Sequence, residues 1–146
     1  MQVTAQQRPK IKIGALGPLG IAAGRDMERS IKLANEEINK NGFSVGGTTY
    51  DFEVFVESSS AQTGFDDAAT GVTALTKLTT SDDVTAMIGG FRTEVTVALQ
   101  LHPNFNGTPF LGVGSTAPIV SEYFWRLGPT NSTQLARALI ELEALF

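Results

Sequence analysis

The sequence of 146 residues predicts an α/β fold in which a parallel sheet carries helices on both faces. Segments with the alternating apolar pattern of strands take turns with segments whose apolar residues recur every three or four positions, as in amphipathic helices. This alternation repeats at least three times with no hairpin signal, and Val84–Ile88 is almost wholly apolar, as in a strand buried on both faces. A chain of this length buries roughly 70% of its unfolded surface, which is enough for one domain with a core.

The first strand and the first helix are marked by a change of apolar spacing. Ile11–Ala15 alternates as a strand does, and Met27–Ile38 carries an apolar stripe with steps of four, three and four residues. Asn41-Gly42 ends this helix, because glycine is typical of the position just after a helix. Residues 45–49, VGGTT, predict a turn, and the alternation at residues 52–56 predicts the second strand.

A second helix, a third strand and a third helix follow. The apolar stripe of residues 65–78 predicts the second helix, with Asp66 and Asp67 in its first turn, where the helix dipole favours negative charge. The third strand is Val84–Ile88, and the stripe of residues 95–105 predicts the third helix.

The last part of the chain predicts two short strands and one helix. Residues 109–113 are predicted as the fourth strand and residues 124–127 as the fifth. Asn131 is expected to cap the last helix, with Gln134 as its capping-box partner. Leucines at helical spacing from Leu135 to Leu145 line one side of that helix.

Composition excludes several classes of function. The formal net charge is −4, whereas a nucleic-acid surface needs a basic stripe, so no nucleic-acid partner is expected. The absence of cysteine excludes disulfides and thiolate chemistry. No run of about 18 apolar residues predicts a membrane span, and the start MQVTAQQRPK lacks the apolar core of a signal peptide.

Motifs for catalysis are weak. GALGPLG has glycines at 14, 17 and 20, whereas the dinucleotide fingerprint requires G-x-G-x-x-G, and Glu37 lies inside a helix rather than at a strand end. The single histidine, His102, lies at the back of the third helix, and without a second histidine or a cysteine no metal site is expected. The sequence therefore predicts neither an enzyme nor a cofactor.

Four loops at the carboxyl ends of the predicted strands form the candidate ligand site, since ligands of open α/β sheets bind there. Glycines let backbone N–H groups approach a ligand, and the third helix begins near Thr93, where its free amides would attract an anion. Arg92 is a candidate for a bidentate grip on a carboxylate, and Ser115 and Thr116 would add hydroxyls. The loops are Leu16–Gly24, Glu57–Thr63, Gly89–Glu94 and Gly114–Pro118.

Each of these features also has a purely structural interpretation. Gly89-Gly90 would equally let the helix pack closely on the sheet, and Arg92 would equally be a solvated surface arginine. Ser115 and Thr116 would then satisfy their own loop, and Phe91 would be a core residue. Their combination on adjacent loops at the predicted crevice favours a binding site.

Six segments in chain order carry a resemblance to a known family: IKIGALGPLG, LANEEINKNG, FEVFVESSSAQTGFDDAA, VTAMIGGFRTE, TPFLGVGSTAPIV and FWRLGPTNSTQLARALIE. In this order they resemble the amino-terminal lobe of type I periplasmic binding proteins, and most closely the leucine/isoleucine/valine-binding group that serves ABC importers. The resemblance covers roughly residues 10–145. It implies a lobe with the flavodoxin-like strand order 2-1-3-4-5.

The resemblance also implies a binding mode, in which two α/β lobes close over a small ligand. The first lobe would grip the α-carboxylate and α-amino groups with the loops after its third and fourth strands. Family members often have small residues and serines after the double glycine, whereas Phe91 and Arg92 stand here, which allows a larger or more acidic ligand. The implied ligand-binding residues are Phe91, Arg92, Thr93, Gly114, Ser115 and Thr116, with Leu16 and Leu19 in the cleft wall.

Three parts of the chain are expected: a disordered lead-in at residues 1–9, the amino-terminal ligand-binding lobe at residues 10–128, and the start of a truncated second lobe at residues 129–146. Family members are much longer, so a fragment or a truncated chain is expected. The leucine stripe of the last helix would then seek another surface, either on this lobe or on a second copy, which predicts self-association.

The function that the resemblance implies is non-catalytic: a solute-binding lobe of an ABC importer for amino acids or related small carboxylates or amides. Its partners would be the small-molecule ligand and an ABC permease, and its location the periplasm or the cell surface. A ligand-sensing domain of a receptor or regulator with the same fold is the first alternative. A Rossmann-type nucleotide-dependent enzyme is the second, and the glycine spacing disfavours it.

Overall fold

A computed structural model describes residues 8–102, 107–114, 121–129 and 131–144 of the chain. Its elements, in chain order, are β1 (Lys10–Gly17), α1 (Ala22–Asn41), β2 (Phe43–Val45), β3 (Thr48–Ser58), α2 (Ala68–Thr76) with a π-helical extension at Lys77–Ser81, β4 (Ala86–Gly89), α3 (Thr93–Gln100), β5 (Phe110–Gly112), β6 (Phe124–Arg126) and α4 (Asn131–Glu143).

The strands form one six-stranded sheet in the order β2-β3-β1-β4-β5-β6. Neighbouring strands are parallel except for β2 and β3, which are antiparallel. The five predicted strands correspond to β1, β3, β4, β5 and β6, so their order in the sheet is the predicted 2-1-3-4-5. The predicted parallel α/β fold is therefore confirmed.

The prediction that no hairpin is present is wrong. β2 and β3 form a hairpin across Gly46 and Gly47, whose φ angles of 58° and 80° suit a two-residue turn that needs positive φ at both positions. The predicted turn at VGGTT is thus correct, but the strand before it has only three residues, which is too short to show alternation. Phe43 of this strand contacts Phe52 across the hairpin, with ring centroids 5.6 Å apart.

The core lies between the sheet and the pair of helices α2 and α3. Alternation along the strands turns Leu16, Met87 and Phe110 towards this side, and all three are almost fully buried. Burying a side chain of this size contributes roughly 1.5–3 kcal/mol, so these contacts decide which face carries the two helices. The core cluster comprises Leu16, Ala74, Leu75, Leu78, Val84, Met87, Val95, Leu99 and Phe110.

The second helix begins later than the apolar stripe predicted. α2 begins at Ala68, and Asp67 is its N-cap, accepting the Thr70 N–H at 2.8 Å. Phe65 lies in the preceding loop and is 65% exposed, so it was wrongly counted in the buried stripe. Asp66 also precedes the helix, which leaves its carboxylate available for another element.

α1 covers the opposite face of the sheet and is fastened to β3 by polar contacts. The Asn39 side chain donates to the Phe52 carbonyl and accepts from the Phe52 N–H, both at 2.8 Å. Arg8, in the predicted lead-in, donates to Asp51 at 3.0 Å and to the Asn39 carbonyl at 3.2 Å. Residues 1–7 of that lead-in lie outside the described residues.

Beside α1 the same face carries an apolar groove of about 200 Å³. Ile31 and Ile38 of α1 form one wall, and the side chains of β1, β4 and β5 form the floor. Trp125, which is in register with Leu111, is 51% exposed beyond the end of this floor. The floor residues of the groove include Ile13, Ala86, Ile88 and Leu111.

The leucine stripe predicted for the last helix is present and solvent-exposed. Leu135, Leu139 and Leu142 of α4 are 62%, 56% and 57% exposed. The side chain of Asn131, the predicted cap, lies outside the described residues, although α4 begins at that residue. None of the described helices combines the length and the apolar character that crossing a membrane requires.

Candidate functional site

The loops after β1, β3, β4 and β5 meet at the carboxyl edge of the sheet. The Gly90 N–H donates to the Leu16 carbonyl, and the Gly114 N–H donates to the Gly90 carbonyl, both at 3.0 Å. The Gly20 N–H donates to the Ser60 hydroxyl at 2.9 Å, which joins the loop after β1 to the loop after β3. The turn at Gly89–Glu94 is therefore adjacent to Gly114, which is the described residue of the predicted loop Gly114–Pro118.

The double glycine after β4 is required by the backbone. Gly89 has a φ of 143°, and a Cβ added there would lie 1.9 Å from the Leu16 carbonyl oxygen. Gly90 has a φ of 73°, and its Cβ would lie 2.8 Å from the Thr96 hydroxyl. The structural interpretation thus accounts for both glycines, because a side chain at either position would push the strand end away from β1 or α3.

The glycine amides are not open to a ligand. Gly90 and Gly114 donate their N–H groups within the loops, and the Arg92 N–H donates to Asp66 Oδ2 at 3.0 Å. The backbone cradle expected from the glycines is therefore already filled at these three positions. At this edge, a ligand would therefore be bound by side chains rather than by these three backbone amides.

Asp66 lies at the candidate site although the sequence did not indicate it as a site residue. Its second oxygen, Oδ1, accepts the hydroxyl of Ser59, which is 2% exposed, so a buried hydroxyl and a backbone amide hold the carboxylate at the start of α3. The sequence predicts Asp66 in the first turn of α2, whereas its carboxylate accepts the Arg92 N–H at the start of α3. The only sequence signal was a second aspartate beside a predicted helix start, and one aspartate suffices as an N-cap.

Arg92 and Phe91 extend outwards from the same turn. The Arg92 guanidinium pairs with Glu94 at 2.5 Å, and the two side chains are 50% and 61% exposed. A pair this exposed contributes about 0–1 kcal/mol, so a ligand can displace it at small cost. Phe91 is 38% exposed, which contradicts its interpretation as a core residue.

The remaining predicted site residues are placed as follows. Thr93 is the first residue of α3 and is half-buried, and Gly114 is half-buried against the Phe91 carbonyl. Leu19 is half-buried in the loop after β1, whereas Leu16 is 1% exposed in the core, so its side chain cannot form the cleft wall. Ser115 and Thr116 lie outside the described residues.

The charges at this edge are mixed. Asp66 and Glu94 are acidic and Arg92 is basic, which leaves one net negative charge around the turn. On α2, the pKa of Asp67 is lowered from its ordinary value of 3.8, mainly because the Thr70 N–H and then the Thr70 hydroxyl donate to its carboxylate. Across the described ranges, no three His, Cys, Asp or Glu side chains group as metal ligands would.

A protein-family model described as periplasmic binding protein matches residues 10–142 of the chain. No curated protein sequence matches this chain significantly.

Solved structures of solute-binding proteins share the fold. The leucine-binding protein LivK from Thermotoga maritima is 22% identical with a TM-score of 0.71, over 92% of this chain and 37% of that one. The branched-chain amino acid binding protein LivJ from Streptococcus pneumoniae, in complex with isoleucine, is 22% identical with a TM-score of 0.70, over 84% and 35%.

A third solved structure comes from Rhodopseudomonas palustris and holds a different ligand. This ABC-transporter solute-binding protein, in complex with 3,4-dihydroxybenzoic acid, is 21% identical with a TM-score of 0.64, over 83% of this chain and 32% of that one. In all three comparisons the chain spans about a third of the length of the structure that it matches.

Proposed function

The chain belongs to the periplasmic binding protein family, and on that premise we propose that it is a solute-binding lobe of an ABC importer. Its ligand is an amino acid or a related small carboxylate or amide, bound at the carboxyl edge of the sheet. Leucine, isoleucine and 3,4-dihydroxybenzoic acid, which structurally similar proteins bind, define the range of ligands to be tested.

The observation that carries this proposal is the convergence of four loops at one edge, with a guanidinium and a carboxylate on the same turn. Gly114 is hydrogen-bonded to Gly90, so the first residues after β5 lie directly beside the turn that bears Arg92. In open parallel sheets this edge is where ligands bind. A small ligand with charged groups would find partners of both signs there.

Each described residue of the proposed site has a role that its position suggests, and the roles of Ser115 and Thr116 are those that the family resemblance implies. The Arg92 guanidinium releases Glu94 and binds the ligand carboxylate in its place. Phe91 covers the apolar part of the ligand. Leu19 and Gly114 shape the wall. The hydroxyls of Thr93, Ser115 and Thr116 supply hydrogen bonds to the carboxylate.

The mechanism is capture without catalysis. A second lobe closes over the bound solute, and the closed form is recognised by an ABC permease outside the cytoplasm. Because closure buries the ligand on its second side, this lobe alone is expected to bind more weakly than the complete two-lobed protein.

Self-association through α4 is a second part of the proposal. Its stripe of Leu135, Leu139 and Leu142 is exposed, and exposed apolar stripes mark contact surfaces. A second copy of this chain is the partner proposed.

Binding assays on a panel of ligands test the proposed function. Leucine, isoleucine, 3,4-dihydroxybenzoate and 4-hydroxybenzoate are titrated into the protein by calorimetry and by thermal shift, and we expect at least one to bind and to raise the Tm. Arg92→Ala should weaken binding roughly fivefold, since the ion pair proposed between Arg92 and the ligand carboxylate would contribute about 1 kcal/mol at an exposed site. Arg29→Ala is the matched control, because Arg29 forms a similarly exposed ion pair on α1.

Two results would contradict the proposal. If no ligand of the panel binds even at millimolar concentration, which allows for the weaker binding expected of one lobe, the solute-binding function is wrong. If a ligand binds and both arginine variants keep full affinity, binding does not involve the turn at Arg92.

A further inference from the structure

Resting on the function proposed above, we propose that Asp66 is the acceptor for an ammonium group of the ligand, so that the site selects zwitterionic amino acids over plain carboxylates. The ligand classes bound by similar structures include both amino acids and hydroxybenzoates. Asp66 is a described residue whose fixed carboxylate would separate the two classes.

The position of Asp66 places a carboxylate at the edge where the ligand is expected. The loop that carries it closes on itself through the Asp67 N–H, which donates to the Ser59 carbonyl at 2.8 Å, and through a bridge between Ser60 and Asp66. Asp66 Oδ2 then accepts the Arg92 N–H at 3.0 Å. The carboxylate is thus fixed beside the turn whose side chain is proposed to bind the ligand carboxylate.

The hydrogen bonds of Asp66 leave its charge uncompensated. Its two oxygens accept a hydroxyl from Ser59 and an amide from Arg92, and both donors are neutral. None of the ion pairs between described residues includes Asp66, because the Arg92 guanidinium pairs with Glu94 instead. Each carboxylate oxygen has two lone pairs, so each can accept one further bond.

The balance of charge at the turn favours a ligand with an ammonium group. Asp66, Arg92 and Glu94 together carry one net negative charge, and a benzoate would add a second of the same sign. A zwitterion adds none, and its ammonium group can take the free lone pairs of Asp66 while its carboxylate engages Arg92. An alternative role, in which Asp66 only holds the start of α3, predicts no preference between the two ligand classes.

The test compares leucine with 4-methylpentanoate, which is leucine without its amino group, by NMR titration of the labelled protein. Wild type should prefer leucine about tenfold to a hundredfold, the range expected for one hydrogen bond to a charged group. In Asp66→Asn the preference should fall to about one, because the negative charge is lost. The amide oxygen still accepts the Arg92 N–H, and the amide nitrogen in place of Oδ1 would donate to the Ser59 hydroxyl oxygen instead of accepting from it. Binding of 4-methylpentanoate should stay equal or improve.

Asp83→Asn is the matched control. It makes the same change of charge, but Asp83 precedes β4 and so lies at the opposite edge of the sheet, and its positive φ of 54° suits asparagine. This variant should keep the wild-type preference for leucine.

A measurement on the wild type alone keeps the role of Asp66 testable even if the Asp66→Asn variant does not fold. 3-Methylbutylamine, which is leucine without its carboxylate, should compete with leucine and shift the Asp66 and Arg92 amide signals. Equal binding of leucine and 4-methylpentanoate, or equal effects of the two asparagine variants, would overturn the role of Asp66. Failure of every amino acid and carboxylate to bind would instead overturn the proposed function.

Discussion

Two adjacent aspartates serve two different helices at the carboxyl edge of the sheet. Asp67 caps α2 through Thr70, whereas Asp66 binds the amide at the start of α3. Because α2 and α3 pack side by side, one short loop fixes the starts of both helices. The loop after β3 therefore controls the geometry of the turn at Arg92, although β3 and β4 are not neighbours in the sheet.

Loss of the Asp67 cap should destabilise the protein in a pH-dependent way. At pH 7 we expect Asp67→Ala to lower the Tm by about 3 °C. The folded pKa of Asp67 lies below its ordinary value of 3.8, so its contribution is present above that pH and is lost as the pH falls through the folded pKa. The difference in Tm should therefore shrink at pH 3, whereas Glu37→Ala, an exposed acid on α1, should differ little from wild type at either pH.

Replacement of Gly89 should cost far more than replacement of an unconstrained glycine. Gly89→Ala places a Cβ against the Leu16 carbonyl at a positive φ, so we expect a loss of about 3 kcal/mol in unfolding free energy, measured by urea denaturation. Gly128→Ala is the control, because a Cβ there has no neighbour within 4 Å. A similar midpoint for the two variants would show that the strand end relaxes without strain.

At the level of elements, α1 is held to β3 by one side chain as well as by apolar contacts. Asn39→Ala removes both bonds to the Phe52 backbone and leaves that N–H and C=O without their partner. We expect a loss of about 2 kcal/mol in unfolding free energy, since unpaired, partly buried backbone groups are costly. Asn41→Ala, at the exposed end of the same helix, should change stability by less than about 0.5 kcal/mol, and equal losses would refute the bridging role.

Most elements could be predicted from the sequence because their apolar spacing is set by burial. β1, β3 and β4 alternate or are apolar because they lie inside the sheet, and α1 ends at Asn41 because Gly42 has a positive φ of 75°. β2 could not be predicted, because a strand of three exposed residues at the edge carries no burial pattern. The start of α2 was misplaced because Phe65 is apolar yet exposed.

The location of the candidate site could be predicted from the sequence, whereas the groups that it presents to a ligand could be predicted only in part. In an open α/β sheet, the strand order determines where a ligand binds beyond the carboxyl ends of the strands. The prediction that the turn at Gly89–Glu94 lies beside Gly114 is therefore correct. The partner of the Arg92 amide is 26 residues away in the sequence, and no local pattern reports such a contact. The occupation of the loop amides, and with it the role of Asp66, therefore required the structure.

At the level of the whole molecule, one face of the sheet is less well covered than the other. α2 and α3 bury the core on one side, whereas α1 leaves the groove floored by Ile13, Ile88 and Leu111 open. Parallel sheets are normally covered on both faces, so this groove and the exposed stripe of α4 are the surfaces on which further contacts are expected.

Self-association should depend on the stripe of α4. We expect sedimentation velocity to show a concentration-dependent dimer, and Leu139→Glu to shift the protein to monomer because it places a charge in the apolar contact. Thr133→Glu adds the same charge away from the stripe and should leave the dimer intact. A wild type that stays monomeric at all concentrations would contradict the proposed association.

The location of bound ligand tests the proposed site most directly. In a backbone-amide NMR titration with leucine, we expect saturable shifts at Phe91, Arg92 and Gly114, with the residues around Asp83 unmoved. Saturable shifts confined to Ile13, Ile88 and Leu111 would place the ligand in the groove beside α1 and contradict binding at the carboxyl edge of the sheet.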